Sequence, residues 1–319
     1  MNLTDALAAV APVVGDGKLV SQHAYVYSQR RILHATDGRQ WAKVDLDGNA
    51  GAAEFCVRHE ALKRALEREY TSLRSDGDNG LIVSYGRGRA RLRGIDPATF
   101  PMVDPAPVQG DWLMPPEVAG RVKDLMAFAG GTDGHIWQHA VHFMPNFLFA
   151  ANSFALCKCP IEEWGWDLTV SLPMWAAKFI ANMPAEQIQF RDRGNMISFY
   201  CRGVELFSTL LTEEPPENII SFASNLSAPM AAVPDGLMEA AKRIDAHGGK
   251  TCKIGEGKVT HASEAIELED DLALDGPVKT WGIETLLPAL EHATTLDLSG
   301  GNATWAGSGY VGVFGGRSD

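Results

Sequence analysis

The chain has 319 residues, 45% of them apolar and 21% charged, an ordinary globular composition that excludes collagen-like, disordered and disulfide-scaffold proteins. Its 28 basic and 40 acidic residues give a net charge of −12. That balance excludes a protein that coats nucleic acid with its whole surface, but not one that keeps its basic residues on one internal face. The charge is uneven: residues 1–110 are net +1, 111–217 net −6 and 218–319 net −7.

The five cysteines, Cys56, Cys157, Cys159, Cys201 and Cys252, form no C-x-x-C pair and read as reduced thiols of a cytoplasmic protein. No basic residue precedes Lys18, so the N-terminus is a poor signal peptide. Residues 135–157 lack charge but carry His135, His139, His142, Asn146 and Asn152. Hydrocarbon would leave these groups unsatisfied, so no membrane span is expected.

Taken in chain order, the predicted elements repeat three times. Residues 4–15 read as an amphipathic helix, 23–44 as a strand–turn–strand, the stretch from Phe55 as a second helix, and 81–94 as another strand pair. The order recurs as a helix over 116–130, strands over 139–160, a helix from Val170 and strands over 187–211. It recurs again over 234–248, 250–271, the stretch from Lys279, and 295–316. The strand cores ILHATD, LFAANS and VTHASE start at Ile32, Leu148 and Val259, 116 and 111 residues apart; the second helices start 115 and 109 apart. The fold class is α+β, an α-β-β-α-β-β unit repeated three times, with two helices laid on antiparallel sheets in each copy. Such units, meeting edge to edge, either close a ring or leave open edges.

Three stretches carry a family resemblance: QIQFRDRGNMISFYCRGVELFSTLLTEEPPENI over 187–219, YGRGRARLRGIDPATFPMV over 85–103, and ATDGRQWA over 35–42. With the terminal YVGVFGG, they resemble the bacterial beta sliding clamps, the processivity factors of DNA polymerase. The resemblance implies clamp domains at 1–110, 111–217 and 218–319. It implies a six-domain ring made by a head-to-tail homodimer around duplex DNA, with DNA polymerase and a clamp loader as further partners. No catalytic activity, cofactor or metal is implied.

Basic residues expected on helices, and so toward DNA, are Arg58, Lys63, Arg64, Arg68, Arg121, Lys123, Lys178, Lys242 and Arg243. Lys63, Arg64 and Arg68 fall off the apolar stripe Leu62, Ala65, Leu66 and Tyr70; phosphates need only positive charge there. The plain alternative for each is a solvated helix face. Arg87, Arg89, Arg91 and Arg93 alternate and read as one polar strand face, or as subunit pairing with acidic partners. The resemblance places a partner-peptide pocket at Asn152, Ser153, Phe154 and Leu156 with Val311 and Val313, although the family's T-D-G-H is not kept and its methionine-rich ending is replaced by Phe314-Gly315-Gly316.

His135, His139 and His142 have a spacing that suits zinc only on a helix. The repeat puts His139 at the start of a strand, so no metal site is expected. The competing function is a carbohydrate-processing enzyme using Trp164 and Trp166 beside Glu162, Glu163 and Asp167. In the repeat those residues form a connecting loop.

Overall fold

The computed structural model describes residues 1–319 except 49–51, 131–133, 162–168, 182–187, 195, 212, 264–265, 275 and 317–319. The first repeat runs α1 (Leu3–Val10), β1 (Tyr25–Gln29), β2 (Ile32–Thr36), β3 (Gln40–Asp45), β4 (Phe55–Arg58), α2 (His59–Leu66), β5 (Ser72–Ser75), β6 (Leu81–Tyr85) and β7 (Gly88–Leu92). After β8 (Gly110–Leu113), the second has α3 (Pro116–Leu125), β9 (Ala140–Phe143), β10 (Phe147–Ala151), β11 (Ala155–Pro160), β12 (Val170–Pro173), α4 (Met174–Ala181), β13 (Gln189–Asp192), β14 (Met196–Cys201) and β15 (Val204–Thr209). Then α5 (Glu217–Asn225) precedes the third: α6 (Leu237–Ala246), β16 (Thr251–Gly255), β17 (Lys258–Ala262), β18 (Glu267–Asp271), β19 (Lys279–Gly282), α7 (Ile283–His292), β20 (Thr295–Asp297), β21 (Asn302–Gly307) and β22 (Tyr310–Gly315).

Helix α1 shows why these elements form. The Asn2 side chain accepts from the Asp5 N–H, capping an orphan donor, and Leu3, Ala6, Leu7 and Val10 bury one face.

The second helix of every repeat starts later than its sequence suggests. Phe55–Arg58, Val170–Pro173 and Lys279–Gly282 are strands, pairing with β1, β9 and β16. A four-residue apolar run cannot be assigned to helix or strand by periodicity alone. The repeat alignment also shifts by one residue. The hairpins pair Leu33 with Val44, Leu148 with Cys159 and Val259 with Asp270, so Leu33, not Ile32, matches Leu148 and Val259. All three of these are buried, as they must be when a one-residue slip exchanges the faces of a strand.

Two compact units result. One, residues 1–116 and 182–210, holds an eight-stranded antiparallel sheet ordered β4-β1-β2-β3-β15-β14-β13-β8 and a three-stranded sheet β5-β6-β7. The other, 117–181 and 211–319, holds a seven-stranded sheet ordered β12-β9-β10-β11-β22-β21-β20 and a four-stranded sheet β18-β17-β16-β19. Within each unit one large sheet crosses a seam between repeats: β3 pairs β15, and β11 pairs β22. Trp41 stacks on Phe207 at the first seam, and Leu156 faces Val313 at the second.

Candidate functional site

The predicted basic residues divide by what they touch. Lys63 and Arg64 on α2, Lys123 on α3, Lys178 on α4 and Lys242 on α6 are exposed helix positions. Arg58 is not helical: it ends β4, at the N-cap of α2, with its guanidinium over the Tyr25 ring. Arg68 lies beyond α2, which stops at Leu66. Arg243 is tied to Asp270 at 2.6 Å. Arg121 donates to the Ser308 carbonyl at 2.5 Å and lies 4.6 Å over the ring of Tyr310, whose hydroxyl donates to Asp124. That network braces α3 against the β21–β22 turn, where Gly309 sits at φ 82°, a left-handed conformation in which any side chain would be strained.

The pocket residues named from sequence do come together. Asn152 Oδ1 accepts from the N–H groups of Phe154 and Ala155, both at 2.8 Å, fixing the turn before β11. The N–H of Gly315 donates to the Phe154 carbonyl, and β11 pairs β22 through Ala155–Phe314, Leu156–Val313 and Lys158–Val311. Asn152 and Val311 are half-buried, Ser153 and Phe154 are exposed, and Leu156 and Val313 are buried in a cluster with Trp137, Phe149 and Ala223.

Ala223 belongs to α5, a helix outside the three-fold repeat pattern that precedes the third repeat. Its Ile219 and Ile220, with Leu226 just beyond, pack on that cluster, and Lys158 Nζ donates to the Ser224 carbonyl. The signal was present: Pro215-Pro216 followed by apolar residues at 219, 220, 223 and 226.

Beside this cap a groove of about 570 Å³ is lined by Phe222, Leu226, Pro229, Met230, Asp297 and Thr304. Met230 is fully exposed and Phe222 is 47% exposed. Large apolar side chains left open beside rigid strands mark a binding surface.

No described group of His, Cys, Asp and Glu is arranged to hold a metal. His139 ends a 3-10 turn just before β9, whereas the turn before β1 ends at Ala24, so His139 matches Ala24 and not His23. All five cysteines are buried, and burial pushes the Cys56 thiol up to about 12 and Cys159 to about 11, away from nucleophilic chemistry. Glu162, Glu163, Trp164, Trp166 and Asp167 lie outside the described residues. Among the described residues no helix is long and apolar enough to cross a membrane.

No protein-family profile and no curated protein matches the chain. Solved structures do. A putative DNA polymerase III beta subunit from Eubacterium rectale matches with a TM-score of 0.82 at 12% identity, covering 99% of this chain and 96% of that one. The DNA polymerase III beta chain of Streptococcus pneumoniae gives 0.82 at 13%, covering 99% and 97%. The Helicobacter pylori beta clamp, solved bound to a DNA ligase peptide, gives 0.80 at 13%, covering 99% and 98%. The chain has the sliding-clamp fold. This clamp fold is kept end to end while most side chains differ, so the course of the backbone, rather than motif, carries the likeness.

Proposed function

We propose that the chain is a DNA sliding clamp with no catalytic activity of its own. Two copies, each of three clamp domains (1–110, 111–217, 218–319), close head to tail around duplex DNA and tether a DNA polymerase, placed there by a clamp loader in the cytoplasm. The observation that carries this reading is the sheet seam made twice in the chain, β3 with β15 and β11 with β22, within a fold that matches beta clamps over 99% of its length. An edge-to-edge repeat of this kind is built to continue into a further copy.

Exposed Lys63, Arg64, Lys123, Lys178 and Lys242 supply charge for phosphates without reading bases. The groove at Phe222, Leu226 and Met230 takes a short partner peptide with apolar anchors; the H. pylori clamp was solved with such a ligand, a DNA ligase peptide. Leu156 and Val313 lie in the cluster on which Leu226 packs, whereas the Asn152–Phe154 turn lines a separate pocket with Gln138 and Glu284.

The test is topological. Protein loaded on a closed circular duplex is retained at moderate salt and released when the circle is cut once. Equal retention on circular and linear DNA means ordinary surface binding and ends the clamp reading.

A further inference from the structure

In the third repeat a lysine stands where the first two keep an apolar core residue. Phe55, Val170 and Lys279 each open the strand before the second helix and pair with Ser28, Phe143 and Ile254. Those residues in turn pair with Leu33, Leu148 and Val259, the matched positions of the three hairpins. Phe55 and Val170 are buried, whereas Lys279 is half-buried. A lysine is seldom kept at such a position unless its ammonium is bonded.

The Lys279 ammonium is bonded, and to a single loop. Its Nζ donates to the carbonyls of Leu298 at 3.2 Å, of Ser299 at 2.8 Å and of Gly300. Three consecutive carbonyl oxygens thus converge on one cation and match its three N–H donors. The fit is specific to a compact ammonium, because a planar guanidinium cannot aim three donors from one point. Without a cation the three carbonyl oxygens would crowd their negative ends together, and the loop would open toward water.

That loop borders the partner groove. Residues 298–301 join β20 to β21, and the two strands present Asp297 and Thr304, a cross-strand pair, to the groove of Phe222, Leu226 and Met230. The Ser299 N–H donates to the Asp297 carboxylate at 2.8 Å, which ties the groove residue to the loop. At the far end, the Gly301 carbonyl accepts from the Gly316 N–H at 3.2 Å, and Asn302 pairs with Gly315. Lys279 therefore reaches from β19, the edge of the four-stranded sheet, to the loop that shapes one wall of the groove on the seven-stranded sheet.

We infer that the carbonyls of residues 298–300 form a cation nest filled by the chain's own Lys279, and that this latch holds Asp297 and Thr304 in place for a partner peptide. Lys279 is a positioning residue: it acts on the groove through the loop. An apolar side chain at the same place in the first two repeats fills core but can hold no such loop.

The inference rests on the groove reading, and the experiment separates the two. The probe is a fluorescein-labelled peptide with two leucine anchors, titrated into the full chain. Lys279→Met should raise amide exchange at Ser299, Gly300 and Gly301 and lower peptide affinity about fivefold or more, with circular dichroism and solution mass unchanged. Lys279→Arg, which keeps the charge, should remain weak. In Lys279→Ala, ammonium chloride should restore affinity by refilling the nest, whereas tetramethylammonium chloride at the same ionic strength should not. Wild-type affinity should be the same in both salts. Unchanged exchange at 299–301 in Lys279→Met overturns the latch and leaves the groove standing. Raised exchange with unchanged affinity, or full affinity in Lys279→Arg, overturns the positioning role. Equal affinity of Lys279→Ala in the two salts overturns the nest. A wild-type chain that does not bind the peptide overturns groove and latch together.

Discussion

The imidazole Nδ1 of His142 lies 2.9 Å from the Ser171 hydroxyl, and its ring stacks on Phe149 at 4.5 Å between centroids. His142 and Phe149 are cross-strand partners in the second repeat, as Tyr27 and His34 are in the first. The same site thus holds one histidine and one aromatic ring, in opposite order. Among the described residues, His142 Nε2 and His34 Nδ1 have no hydrogen-bond partner, and both are buried.

Acid should therefore destabilise the fold. Burial lowers both histidines to about 4, against 6.5 in an unfolded chain. Between those values the unfolded chain binds more protons than the folded one. Their contribution is complete above pH 6.5 and is lost as pH falls toward 4, by up to about 3 kcal/mol per ring. Urea midpoints measured between about pH 7.5 and 4.5 check this. His142→Phe should flatten part of the slope, and a wild-type midpoint constant over that range contradicts the assignment.

A second expectation concerns Glu205. Its Oε1 accepts from Arg193 at 2.9 Å, Arg191 at 3.2 Å and Ser198 at 2.8 Å, and all three charged groups are largely buried. Glu205→Ala leaves Arg193 without its carboxylate, while Arg191 keeps Asp111 at 3.7 Å; an uncompensated charge costs about 3–5 kcal/mol when fully buried. Residual exposure brings the expected loss to about 2–3 kcal/mol, read from the urea midpoint. Arg193 also donates to the Ala106 carbonyl, so limited proteolysis should cut the 101–109 segment faster in the variant.

The repeat was legible in the sequence because helix and strand periodicities recur at nearly constant spacing, and the resemblance added the ring. What the sequence hid was local. FCVR, VSLP and KTWG are too short to show a period, so three strands merged into the helices after them. ILHATD and LFAANS align best by eye at a step one residue off, because Ile32 and Leu33 are both apolar; only the hairpin register separates them. Arg121 and Arg243 look like solvated helix cations, yet both are engaged, by Ser308 and Tyr310 and by Asp270, residues far along the chain that no local pattern connects.

That difference among the cations can be measured. Lys63→Glu with Arg64→Glu should weaken retention on circular DNA and reduce the salt slope by about 2, the count of phosphate contacts removed, without altering the dimer. Arg121→Glu should instead lower the thermal midpoint, since it breaks the bond to Ser308 and the stack on Tyr310. Equal salt slopes for wild type and the Lys63/Arg64 pair would remove α2 from the DNA-facing surface.

The groove separates binding from folding in the same way. Met230 is wholly exposed at its rim and touches no core, whereas Val313, 8% exposed, packs with Leu156 and Phe149 beneath α5. A peptide anchor seated against Met230 and Leu226 gains about 1.5–3 kcal/mol per large apolar side chain buried. Replacing Met230 by aspartate puts a carboxylate where that anchor must lose its water, so Met230→Asp should lower affinity for a partner peptide about tenfold or more, while the melting temperature stays within about 1 °C. Val313→Asp buries a charge with no partner and should cost several kcal/mol of stability, about 3 or more, whatever it does to binding. Fluorescence anisotropy with a labelled apolar-anchor peptide reads the first, and a thermal melt reads the second. If Met230→Asp leaves affinity unchanged while the protein remains folded, the peptide does not sit in this groove.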